Sequence, residues 1–172
     1  MRLSRAAARR DIVIRAASDT AIVPYAADSV AQERSPRFSP DGKWLAYASD
    51  RTGQDEIYVD GFPTGGVRTQ VSADGGREPV WSRDGSRVFY RAPDGWMMAA
   101  HVTRGTTVQV TRQERLFDAS PYLTNQFLTC YDVATDGRFL MIKLDPQPER
   151  TDVVIIRNWV QHALARVAEA QR

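Results

Sequence analysis

Three aspartates in this chain recur at regular intervals, each followed by glycine: Asp41-Gly42, Asp84-Gly85 and Asp136-Gly137. Carboxylates so spaced could ring a bound cation. Asp before Gly is also the residue pair of a tight turn, because the Asp side chain bonds the backbone two residues on and Gly accepts positive φ. The turn reading is preferred, since each pair lies between two short apolar runs. The other candidates are thinner. Ser120 lies near Asp118, with no histidine placed to act as its base. His101 alternates with apolar neighbours and reads as a strand side chain. His162 lies in another segment, and neither histidine has cysteine partners at zinc-ligand spacing. Cys130 is the single cysteine, which excludes an intrachain disulfide. Arg37, Arg77 and Arg91 could hold an anion, but scattered arginines read first as surface charge. Trp44, Trp81 and Trp96 could make an aromatic platform. Trp81 stands where Phe38 and Val133 stand in neighbouring units, so core packing, at matching buried positions, is expected of all of these. No catalytic residue, cofactor site or metal site is assigned.

The sequence around the aspartates repeats. Pro36-Arg37-Phe38-Ser39-Pro40-Asp41-Gly42-Lys43-Trp44-Leu45-Ala46-Tyr47 aligns with Pro79-Val80-Trp81-Ser82-Arg83-Asp84-Gly85-Ser86-Arg87-Val88-Phe89-Tyr90. Tyr131-Asp132-Val133-Ala134-Thr135-Asp136-Gly137-Arg138-Phe139-Leu140-Met141 is a looser third copy, with Thr135 in place of proline and one residue missing after Gly137. The glycines lie 43 and 52 residues apart, the period of a four-stranded propeller blade. The first full unit is predicted to use strands opening at Phe38 and at 43–48, 56–59 and 67–71. The second uses 79–82, 87–91, 96–102 and 107–110, with an extension at 115–117. The third uses 131–134, 138–143 and 152–156. Strands at 11–15 and 21–25 read as the last two of an earlier unit, and 28–35 as a polar connection. The extra residues before the third copy predict a longer loop around 118–126, with Ser120-Pro121-Tyr122 at its tip. Asn158 can cap a helix from 159 to about 170, whose Trp159, Val160, Ala163, Leu164 and Val167 share one face.

The expected fold is therefore all-β: a partial β-propeller of four-stranded antiparallel blades, about three units in an incomplete ring, with a short C-terminal helix. A basic N-terminal segment (1–10), the blades (11–157) and the helix (158–172) divide the chain. A ring needs at least about four blades to close. Open arc ends would expose strand edges, so either upstream blades of a longer parent chain complete the ring, the preferred reading, or the chain assembles with others.

The 172 residues carry a net charge of +2 with arginines spread along the chain, which argues against a nucleic-acid footprint. No apolar run is long enough to cross a membrane. Arg2, Arg5, Arg9 and Arg10 resemble the charged start of a signal peptide, but no apolar stretch of sufficient length follows. No membrane insertion by this segment is expected.

Phe38-Ser39-Pro40-Asp41-Gly42-Lys43-Trp44-Leu45-Ala46-Tyr47, followed by Ser49-Asp50-Arg51-Thr52-Gly53 and Glu56-Ile57-Tyr58-Val59, resembles the TolB-like (WD-like) β-propeller repeat across residues 11–157. Glu56-Ile57-Tyr58-Val59-Asp60-Gly61-Phe62-Pro63, Gln70-Val71-Ser72-Ala73-Asp74-Gly75-Gly76 and Val153-Val154-Ile155-Ile156-Arg157-Asn158-Trp159 look like the C-terminal propeller of bacterial transmembrane serine/threonine protein kinases. The resemblance implies a non-catalytic binding or sensor module that meets a protein or small ligand at the propeller rim. It also implies an extracytoplasmic setting if the module is attached to a membrane-anchored kinase. The alternative is a TolB-type periplasmic translocation or envelope assembly component; the Trp159 helix favours the first. This chain has no glycine-rich phosphate loop, no His-Arg-Asp loop, no Asp-Phe-Gly and no Gly-x-Ser-x-Gly elbow. It is expected not to be an enzyme.

Overall fold

The computed structural model describes residues 10–26 and 30–144, and every regular element in them is a β-strand. β1 (Ile12–Ile14) and β2 (Val23–Ala26) form a two-stranded antiparallel sheet. β3 (Glu33–Phe38), β4 (Trp44–Ser49), β5 (Glu56–Gly61) and β6 (Thr69–Gln70) form a four-stranded sheet in chain order. β7 (Arg77–Trp81), β8 (Arg87–Arg91), β9 (Trp96–Arg104) and β10 (Val108–Asp118) form a second sheet with the same order. β11 (Tyr131–Val133) pairs with β12 (Phe139–Met141). All pairings within these sheets are antiparallel. The expected strand at 152–156 and the helix at 158–172 lie outside the described residues.

The sheets stack face to face, and strand periodicity decides which residue joins which layer. Leu45 and Tyr47 of β4 turn toward Ile12 and Ala26. Their neighbours Ala46 and Ala48 turn the other way, into a layer with Trp81, Val88 and Tyr90. One sheet further on, Val88 and Tyr90 face back, while Phe89, Met97 and Ala99 face forward to Tyr131 and Val133. Both faces of each four-stranded sheet are thus covered. That is why Leu45-Ala46-Tyr47-Ala48 and Val88-Phe89-Tyr90 are unbroken apolar runs rather than alternating ones. Tyr47 and Phe89 are almost wholly buried, at 0% and 1% exposure. For the apolar Phe89 side chain, area removed from water is worth about 1.5–3 kcal/mol.

The three Asp-Gly turns are built alike. The amides of Gly42, Gly85 and Gly137 donate to the carbonyls of Ser39, Ser82 and Ala134 at 2.9, 2.9 and 3.0 Å. All three glycines have positive φ, at 69°, 69° and 85°. Phe38 pairs with Leu45 and Trp81 with Val88, but Val133 pairs with Phe139, so the third hairpin is one residue shorter.

Several expectations need correction. Phe38 does not share the burial of Trp81 and Val133: it is 55% exposed against 5% and 1%. Trp81 faces a full four-stranded sheet. Phe38 looks toward the narrow β1–β2 sheet and meets the Phe62 ring edge-on at 4.7 Å. β3 begins at Glu33, inside the expected polar connection, because Glu33 and Ser35 are turned inward and buried. β10 runs unbroken from Val108 to Asp118, absorbing two register shifts that had read as a gap between strands. Ser120-Pro121-Tyr122 is not a loop tip. The backbone there pairs with the chain leaving β12: the amide of Leu144 bonds the carbonyl of Pro121, and that of Leu123 bonds the carbonyl of Ile142, at 3.0 and 2.8 Å.

Candidate functional site

The Asp-Gly turns and their neighbours make a row of hydrogen-bonded polar side chains. Ser39 Oγ donates to Asp41 Oδ1 at 2.6 Å and accepts from the amide of Trp44 at 3.0 Å. Ser82 repeats this: it donates to Asp84 Oδ1 at 2.6 Å and accepts from the amide of Arg87 at 2.9 Å. Asp84 also takes the amide and hydroxyl of Ser86. These donors, Ser82 first, pull its carboxyl down to about 2. The Ser39 hydroxyl likewise lowers Asp41. In the third turn Asp136 bonds the amide of Arg138 at 3.1 Å and its Nε at 2.7 Å. The carboxylates of the row are therefore occupied by their own turns, and they do not converge on a shared cation.

Arginines stitch the row together. Arg104, at the end of β9, donates Nη1 to Asp41 Oδ2 at 3.0 Å and Nη2 to the carbonyl of Asp84 at 3.2 Å. It therefore closes the gap between the first two turns. Arg83 reaches the third unit through Nε to the carbonyl of Val133 at 3.3 Å and Nη2 to Asp132 at 3.4 Å.

The remaining candidates separate. His101 lies on β9 and faces Glu114 of β10 at 3.0 Å, as a cross-strand pair. Ser120 gives its amide, at 2.9 Å, to Asp118, whose carboxyl is lowered chiefly by that bond. Trp81 packs between the sheets and donates Nε1 to the carbonyl of Arg37 at 3.2 Å. Trp44 borders that layer, and Trp96 lies under Arg115 with 4.2 Å to the ring centroid. The three tryptophans thus form no common platform. Burial pushes the Cys130 thiol up, the opposite of an activated nucleophile.

Arg37 is exposed and Arg77 pairs with Asp55 at 2.6 Å, but Arg91 is no surface arginine. It is 5% exposed and lies 3.3 Å from Glu78, which is 1% exposed. Glu78 has φ of 57° and sits at a register shift in β7. Its carboxylate accepts from the Thr124 hydroxyl and, at 2.9 Å, from the amide of Cys130. Arg91 donates onward to the carbonyls of Ala119 and Leu123 at 2.6 and 3.3 Å. Tyr131 closes the knot by donating to the carbonyl of Glu78 at 2.7 Å. Sequence reasoning missed this pair. The signal was a joint exchange between repeats: aligned on Gly42 and Gly85, Ser35 and Ala48 of the first unit become Glu78 and Arg91 of the second.

Comparison of the chain with protein-family models and with curated proteins gives no match in either case.

Proposed function

We propose that this chain is a propeller-type, non-catalytic binding or sensor module, the C-terminal part of a bacterial serine/threonine protein kinase-like signalling protein. The observation that supports it best is the repeat itself. Two four-stranded sheets of identical strand order are stacked through one apolar layer and carry equivalent turns that Arg104 bridges. In such an architecture the strands are scaffold, and turns and loops are what a partner meets. The resemblance of 56–63 and 70–76 to the kinase-associated propellers supports the signalling context, and with it an extracytoplasmic position. The partner is a protein or small ligand held at the rim. The turn aspartates serve the turns and perform no chemistry.

Two measurements test this reading. Purified chain incubated with labelled ATP and a general protein substrate should transfer no phosphate; transfer that co-purifies with the chain would overturn the non-enzyme assignment. A crystal structure of the chain extended by its upstream coding sequence should show β1 and β2 continued into a four-stranded sheet of a closed ring. A β1–β2 hairpin that gains no neighbours would sink the propeller assignment.

A further inference from the structure

We infer that the cleft between the second and third turns is a binding site for a small organic carboxylate with an apolar body. This rests on the rim-binding reading only in placing the ligand at the rim; the cleft's own side chains supply the rest. The cleft measures about 240 Å³, and Arg83, Asp84, Arg87, Phe89, Val133 and Thr135 are among its lining residues.

The repeat explains why space exists here. The equivalent gap between the first two turns is bridged by Arg104, which spends its guanidinium on Asp41 and on the carbonyl of Asp84. In the second gap the facing turn is one residue shorter, with Ala134 where the others have Ser39 and Ser82. Across it Arg83 meets a carboxylate, whereas Arg87 makes no ion pair with a described residue. Asp136 is held by Arg138, and Asp84 is saturated by Ser82 and Ser86. Asp132 meets Arg83 at 3.4 Å, with 64% of its side chain exposed.

Arg87 is the centre of the site. Its guanidinium lies over the Phe89 ring, 5.1 Å from the centroid, and makes no ion pair or side-chain hydrogen bond with another described residue. A guanidinium fork matches the two oxygens of a carboxylate, and both bonds are charge-assisted. Arg83 and the Thr135 hydroxyl flank it. Phe89 and Val133 form an apolar floor. Arg83 is already shared with Asp132, so Arg87 is the cation left for a ligand, and one uncommitted charge suits a monoanion rather than a dianion. Carboxylate with a short hydrocarbon tail meets all of these demands.

The test is an amide-shift titration of the folded chain with hexanoate, hexanamide and inorganic phosphate. Hexanoate should shift the amides of Thr135, Gly137 and Phe89 saturably. Arg87→Gln should weaken it at least tenfold without moving the melting temperature, while Arg104→Gln should not weaken it. A short peptide ending in leucine, compared free and amidated, separates the sources. Tighter binding of the free-ended peptide than of hexanoate assigns the carboxylate to a chain end; the reverse assigns it to a free acid. Unchanged affinity in Arg87→Gln, equal binding of hexanamide, or equal binding of phosphate would each overturn the inference. None of those failures touches the stacked-sheet module, whose own tests are the phosphate-transfer assay and the extended-chain structure.

Discussion

Gly42 and Gly85 occupy the same place in equivalent turns, with the same φ of 69°, yet their surroundings differ. A Cβ built on Gly42 meets nothing within 4 Å, whereas one on Gly85 falls 2.7 Å from the guanidinium of Arg104. Alanine at either position has to adopt the left-handed conformation, at about 1 kcal/mol. At Gly85 it also has to displace Arg104 from Asp41 and the carbonyl of Asp84, a partly exposed, charge-assisted link worth roughly 0.5–1 kcal/mol. Gly42→Ala should therefore cost about 1 kcal/mol and Gly85→Ala about 2 kcal/mol. For a chain of this length that corresponds to melting shifts of roughly 3 and 6 °C. Urea unfolding followed by tryptophan fluorescence measures both. In an Arg104→Ala background the Gly85→Ala loss should fall to the Gly42→Ala value, because nothing remains to be displaced. Equal losses in the parent background, or a Gly85→Ala loss indifferent to Arg104, would refute the account of this gap.

Glu78→Gln keeps one acceptor oxygen, for the Thr124 hydroxyl or the Cys130 amide but not both, and leaves the Arg91 charge buried and unpaired. A loss on the order of 3 kcal/mol is expected in thermal or urea unfolding, and adding Arg91→Met should recover much of it; a single-variant loss well under 1 kcal/mol would count against the pair. Asp60 is 7% exposed, and burial raises its carboxyl above the ordinary range despite the Gly61 amide that bonds it. The folded chain thus holds this proton more tightly than the unfolded chain, whose value is about 3.9. Stability should fall as pH rises from about 4 through the folded value, with the full penalty present above it. Asp60→Asn should flatten that slope and be no less stable than the parent at neutral pH; parallel pH profiles for the two would disprove the assignment.

The local signals in the chain were read at the turns and failed at polar residues turned inward. Asp-Gly between apolar runs declares itself because both residues are chosen by the same short-range geometry. Strand 87–91 was located to the residue for that reason. Glu33, Ser35 and Glu78 look like connector residues, and only their tertiary partners make them strand. Arg91 looked exposed because charge is the usual mark of surface; its partner lies across a bulge and its acceptors in a loop nearly thirty residues away. Phe38 was misjudged for the opposite reason. Its local pattern equals that of Trp81, but what covers a side chain depends on the breadth of the neighbouring sheet, and no local pattern encodes that. The cleft beside Arg87 was half visible, in the residue missing after Gly137. That Arg87 goes unpaired required knowing where every carboxylate of the row is spent.

The knot around Glu78 also determines how the molecule can come apart. The segment between β10 and β11 would ordinarily fray first, as long connections do. Here its amide at Cys130 and its hydroxyl at Thr124 end on a carboxylate of β7, and its carbonyls at Ala119 and Leu123 end on a guanidinium of β8. Its far side reaches back to β3, where Ser35 donates to the carbonyl of Phe127 at 3.3 Å. Loosening this segment therefore strips hydrogen bonds from a buried Glu78–Arg91 pair held on adjacent strands of one sheet. Segment and sheets should thus open together, with the Leu123 and Cys130 amides exchanging more slowly than those of a free surface loop.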